Sequence, residues 1–427
     1  MTGIELDLLL ERPANGGDSV AHTDGRVVFV RGAIPGERVR ARVTDDANAS
    51  FWRAETVEVL EASPYRVPVL CAAADHGAGC CDLAFVAPAH ARVLKRDVLR
   101  DVLLRVGRVP DELIANTALV HTGIESVGAD TGWRVRTRLA VGDDGRTGQR
   151  AFRGSSIITW PCAQPSAGLL DDLDGLGTPG SELAVVEDAD GRRHVVELAA
   201  VDSRGRGRPG AQRTRHRRTT SRRAERVVAG AAAARHAVGT RVWEIPVTGF
   251  WQAHRGAPEA YSQAVTDLIA ATLADLGRPA VAWDLYGGAG VFAAALLDRA
   301  GVGAVHLVES DTRALAAADT AFGADEPVHR HHGEVARLVG GLPAPDVVVL
   351  DPPRTGAGSK VINAVCAAAP SVVVHVGCDA ARFARDLGLY RDHGYRPVEI
   401  RGFDAFPLTH HVEAIAALVP ADTGRRG

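Results

Sequence analysis

The sequence predicts an α/β protein. Its main body, residues 241–427, is a parallel sheet with helices on both faces, preceded by an OB-type β-barrel (1–62) and a small α+β segment (63–240). Three observations lead there. Unbroken apolar runs recur between helical stretches in the C-terminal part, and such strands are buried on both sides. Short alternating runs, separated by turn residues, fill the N-terminal part, as in small barrels. A chain of 427 residues also exceeds what one ordinary core accommodates.

In the barrel, Ile4–Leu8 alternates before the turn Asn15-Gly16-Gly17-Asp18, and Val27–Val30, Glu37–Val43 and Phe51–Leu60 follow as further strands. Barrels of this type often hold oligonucleotides, and arginines at alternating positions fit that use. In the middle segment, Pro88–Arg105 reads as a helix with Val93, Val98, Leu99, Val102, Leu103 and Leu104 as apolar positions. Trp133–Val141 reads as a strand with an arginine-rich face. The C-terminal strands are Val281–Leu285, Ala304–Glu309, Val347–Asp351 and Val372–Val376.

A hydrophobic content of 46% and a charged content of 24% describe a folded chain, not a disordered one. No apolar run is long enough to cross a bilayer, and Met1–Glu5 lacks the blocks of a signal peptide, so a cytoplasmic monomer is expected. In a reducing compartment the six cysteines are candidates for metal binding, catalysis or burial. The net charge of -3 does not announce a nucleic-acid binder. Yet Arg204–Arg226 holds ten arginines almost without acids, either a stripe that neutralises phosphates or a solvated loop.

The strand ending Asp284-Leu285-Tyr286 runs into Gly287-Gly288-Ala289-Gly290 and then a helix. Glycines at such a turn let a ligand approach the backbone and meet the first helical amides. Glu309 ends the next strand, where its carboxylate can take both hydroxyls of a ribose. Glu334 follows Gly333 within reach of an adenine amine, and Asp351 ends a third strand, on the edge where open α/β sheets hold ligands. A nicotinamide enzyme would show Gly-x-Gly-x-x-Gly, whereas Phe292-Ala293 follow the last glycine here. Helix capping is the plain alternative for these acids, and their recurrence at successive strand ends weighs against it.

Four more segments complete the pattern: Asp351-Pro352-Pro353-Arg354-Thr355-Gly356, Val376-Gly377-Cys378-Asp379, Phe406–Glu413 with His410 and His411, and Gly249-Phe250-Trp251-Gln252. In this order they resemble the S-adenosylmethionine-dependent uracil-5 methyltransferases of tRNA and ribosomal RNA. The resemblance covers nearly the whole chain, with a TRAM domain as the N-terminal barrel and a Rossmann-like class I methyltransferase domain as the C-terminal body. It implies an RNA substrate and transfer of a methyl group to carbon 5 of a uridine. It makes Cys378 the nucleophile, Glu413 the base that removes the carbon-5 proton, and Asp351 a holder of cofactor or uracil. Gln252, Tyr286, Gly288, Gly290, Glu309, Glu334 and Asp351 would contact the cofactor.

Carbon 5 of uracil is a poor nucleophile until a thiolate adds to carbon 6, which explains the need for a cysteine. Its strand end, beside a helix N-terminus and near Arg382 and Arg385, is expected to favour the thiolate. Phe250, Trp251 and Phe406 are candidates to stack on a flipped base, with core packing as the plainer reading. Cys71, Cys80, Cys81 and Cys162 resemble the iron–sulfur ligands of part of the family, and a thiolate-only set suits such a cluster or zinc. The run Gly79-Cys80-Cys81-Asp82 departs from the family's Cys-Gly-Gly-Cys. Two other classes compete: an RNA-binding protein with an inactive catalytic domain, and an enzyme for another base. Amino-group enzymes often use Asp-Pro-Pro-Tyr, where Arg354 stands here.

Overall fold

A computed structural model describes residues 2–200, 223–274 and 276–421. The C-terminal body is an eight-stranded sheet in the spatial order Val328–His332, Ala304–Glu309, Val281–Leu285, Val347–Leu350, Val372–Gly377, Glu413–Pro420, Tyr395–Asp404 and Ile124–Ser126. The first five strands are parallel, and Glu413–Pro420 returns antiparallel between Val372–Gly377 and Tyr395–Asp404.

Each central strand is apolar along its length because both of its faces are covered. On one face Tyr261, Val265, Phe292 and Leu315 pack on Ala282, Val305, Val347 and Val374. On the other, Leu99, Val361, Phe383 and Leu387 pack on Leu285, Val308, Val348 and Val373. The helix Pro88–Arg105 and the edge strand Ile124–Ser126 come from the middle segment yet complete this body, the helix lying along Ala380–Asp392. The strand Val328–His332 was not read from sequence. Its run His329-Arg330-His331-His332 is polar because it lies at the sheet edge.

The N-terminal part is a six-stranded sheet around one core of Leu8, Val28, Val30, Val39, Val43 and Trp52. Its outer strands, Glu5–Leu9 and Arg12–Pro13, form no ladder with each other among the described residues. A second six-stranded sheet carries the middle segment, with Arg136–Val141, Glu182–Glu187 and Arg193–Leu198 at its centre.

Arg204–Arg222 lie outside the described residues. Arg223 and Arg226 are described and pair with Glu182 and Glu197, Arg223 half-buried and Arg226 exposed. Along the Trp133–Val141 strand Arg136 is half-buried and Arg138 exposed, and both are tied to backbone carbonyls. Arg136 Nη2 donates to the carbonyls of Val247 and Gly249 (both 2.7 Å), and Arg138 donates to Thr248 (3.0 Å). No helix among the described residues is long and apolar enough to cross a membrane.

Candidate active site

The glycine turn is built by close packing. A side chain at Gly287 would overlap Asp284 and Leu307, and Gly290, at φ +81°, caps the helix Val291–Asp298 in the left-handed region open to glycine. Asp284 is fully buried. One of its oxygens accepts from Ala293 N (2.9 Å), while the other has no hydrogen-bond partner in the protein. Burial, with the charges of Asp351 and Glu309, pushes its carboxyl up to about 7.

Glu309 is fixed against the turn by the amides of Gly288 (3.0 Å), Ser310 (2.6 Å) and Asp311 (2.7 Å). Three amides orient the carboxylate and leave further lone pairs on it unused. Glu334 stands at the exposed rim, paired with Arg337 at 3.0 Å, and is joined to Glu309 through the Gly333 N to Glu309 O bond of 2.9 Å. Gln252 follows a residue that is packed against the turn. Trp243 donates to Ala289 O in the turn (2.8 Å) and tilts against Trp251, the residue before Gln252. Trp251 is therefore core, while Phe250 is 73% exposed beside it. The arginines of the middle sheet hold the carbonyls that lead into this segment, a role that sequence alone left unseen.

Strand register brings the proposed reacting groups together. Gly377 pairs with Ala414, so Cys378 and Glu413 lie one step beyond, on neighbouring strands. Leu350 pairs with His375, which delivers Asp351 to the adjacent strand end. Residues 62 positions apart in sequence thus share one ligand edge.

The electrostatics correct one expectation. Burial, then the charges of Glu413 and Asp351, push the Cys378 thiol up to about 12, with Arg354 opposing. Burial therefore disfavours the thiolate at Cys378. The helix N-terminus does not rescue it, because the Asp379 side chain accepts from Arg382 N (2.9 Å) and caps that end. Arg382 is exposed, and Arg385 is bound to Asp386 (2.6 Å) and to Thr355 O (3.0 Å). The cation that acts on Cys378 is Arg354. Burial raises Asp351 to about 7 and holds Glu413, 5% exposed, well above the ordinary carboxylate range.

The segment before Glu413 is held from outside its own sheet. Asp82 accepts from His410 N (3.0 Å) and pairs with His410 Nδ1, and Leu83 N donates to Leu408 O (3.0 Å). The buried Lys95 donates to Asp404 (2.5 Å) and to Phe406 O (3.1 Å). Directly before Asp82, the four cysteines 71, 80, 81 and 162 converge, with all their sulfurs within 4.8 Å of one another.

This sheet, with a glycine turn and an acid at each successive strand end, defines a class I S-adenosylmethionine-dependent methyltransferase. The TRAM domain model matches residues 1–56. An RNA methyltransferase of Corynebacterium glutamicum is 40% identical over 96% of this chain and 95% of its own length. The 23S rRNA (uracil(1939)-C(5))-methyltransferase RlmD of Halomonas elongata is 29% identical over 98% of this chain and 90% of its own. Among solved structures, the Pyrococcus abyssi tRNA (uracil-54, C5)-methyltransferase with S-adenosyl-L-homocysteine superposes with a TM-score of 0.67 at 18% identity, covering 97% of this chain and 99% of that one. The chain belongs to the family of TRAM-bearing, S-adenosylmethionine-dependent RNA methyltransferases.

Proposed function

We propose that this enzyme methylates carbon 5 of a uridine in tRNA or ribosomal RNA, through a transient bond between Cys378 and carbon 6 of the ring. The observation that carries the proposal is the register that sets Cys378, Glu413 and Asp351 on three adjacent strand ends. An amino-group methyltransferase needs no thiol there, and an RNA-binding protein with an inactive domain needs none of the three.

The Cys378 proton must leave first. Asp351, whose carboxyl burial raises to about 7, is a suitable acceptor when ionised. The thiolate then adds to carbon 6, and the ring electrons move to carbon 5 and the carbonyl oxygen as an enolate. S-adenosylmethionine, when bound, would supply an electrophilic methyl group on a positively charged sulfur. Glu413, as carboxylate, takes the carbon-5 proton, the carbon 5–carbon 6 double bond re-forms, and the thiolate leaves. Glu309 and Gln252 position the donor, with Tyr286, Gly288, Gly290 and Glu334 around it. Phe250 offers an open face on which an extruded base can stack.

The test uses RNA tritiated at carbon 5 of uridine. Donor-dependent tritium release is expected from the wild type and none from Cys378→Ala. Methyl transfer without tritium release would overturn the carbon-5 assignment.

A further inference from the structure

We propose that Cys71, Cys80, Cys81 and Cys162 hold a single tetrahedrally coordinated metal ion, of the Zn²⁺ class, rather than a polynuclear iron–sulfur cluster. The Cys162 sulfur lies 3.9 Å from that of Cys71, 3.9 Å from that of Cys80 and 4.0 Å from that of Cys81. A metal–sulfur bond of about 2.3 Å in a tetrahedron gives a sulfur–sulfur edge of about 3.8 Å. In a cubane each thiolate binds a different iron, which spreads the sulfurs to roughly 6 Å. The spacing fits one ion and is too tight for the cluster that the family resemblance implies.

The sequence departure has the same consequence. Neighbouring residues such as Cys80 and Cys81 have α-carbons only about 3.8 Å apart. That suits two corners of one small tetrahedron and makes two corners of a cubane hard to reach. The surroundings suit a closed, negatively charged tetrathiolate centre. The amides of Ala163 and Gln164 hydrogen-bond the sulfurs of Cys71 and Cys162. Arg134 supplies a nearby guanidinium, held by its 2.8 Å bond to Gln164 Oε1. Gln164 in turn donates to Cys80 O (3.4 Å).

Four thiolates leave no open coordination position, so the ion is structural. The apolar residues around it are small, Ala73, Ala78 and Ala84 with Leu408, and give little burial of their own. The ion thus fixes the loop whose next two residues, Asp82 and Leu83, grip the segment leading to Glu413.

The experiment is elemental analysis with acid-labile sulfide assay on the full chain, purified anaerobically from medium containing zinc and iron. One metal ion per chain with no labile sulfide is expected, and Co²⁺-exchanged protein is expected to show the absorption bands of a tetrahedral tetrathiolate. Cys162→Ser is expected to lose the ion and to melt at a lower temperature. Should that variant fail to fold, the wild-type metal count and cobalt spectrum still decide. Labile sulfide accompanying several irons overturns the proposal, as does a folded chain whose four thiols titrate freely with no metal bound.

Discussion

Burial and two neighbouring carboxylates bear on Cys378, and its reactivity follows from them. With the thiol pushed up to about 12, only about one molecule in 10⁴ carries a thiolate at pH 8. Alkylation by iodoacetamide reads that fraction directly, and peptide mapping separates Cys378 from the other five cysteines. In the free enzyme the alkylation rate is expected to rise about tenfold per pH unit from about pH 7 to 10 without levelling. Glu413→Gln removes the first of the two charges that raise the thiol, so near pH 9 it is expected to react several-fold faster, each unit of pKa being worth tenfold. Arg354→Gln is expected to react more slowly. A rate that levels between about pH 7 and 9 would mean a resting thiolate and refute the reasoning, as would a Glu413→Gln rate equal to that of the wild type.

Three other outcomes follow from the same geometry. Asp284, raised from 3.8 to about 7, binds its proton more tightly folded than unfolded. Its contribution to stability is therefore full below about pH 4 and lost as pH rises through about 7, a change of up to about 4 kcal/mol. Asp284→Asn is expected to melt above the wild type near pH 8 and to lose that advantage near pH 4; an equal difference at both refutes the assignment. Arg136→Gln leaves the carbonyls of Val247 and Gly249 short of a partner, at about 1–3 kcal/mol, and is expected to weaken donor binding roughly 10- to 100-fold by calorimetry. Unchanged affinity would show that the arginine does not position Gln252. Asp82→Ala is expected to lower kcat without changing the KM for the donor, because it frees the segment before Glu413 and not the glycine turn. A raised donor KM with normal kcat would contradict that.

Legibility from sequence followed the physics of burial. The strands Val281–Leu285 and Val372–Gly377 were readable because both faces are covered and every position is apolar. The edge strand Val328–His332 was not, since its side chains meet solvent. The glycine turn, Glu309 and Asp351 were readable because each terminates an apolar run. The pairing of Cys378 with Glu413 depends on a strand that returns antiparallel, and no local pattern reports it; family resemblance alone supplied it. The role of Arg136 was not readable, because alternation places it on the arginine-rich face of a strand without saying what covers that face. The ionisation of Cys378 was misjudged because burial and the nearby carboxylates, which no local pattern reports, push the thiol up, while the Asp379 side chain already caps the helix end.

The most direct test of the covalent step replaces uridine by 5-fluorouridine at the target position. Fluorine cannot leave as a proton does, so Glu413 has nothing to remove and the ring stays attached. After incubation with the methyl donor, intact-mass analysis under denaturing conditions is expected to show one protein joined to one RNA carrying one transferred methyl group, with the bond mapped to Cys378. Free protein and free RNA, under conditions where the ordinary uridine substrate is fully methylated, would contradict the account.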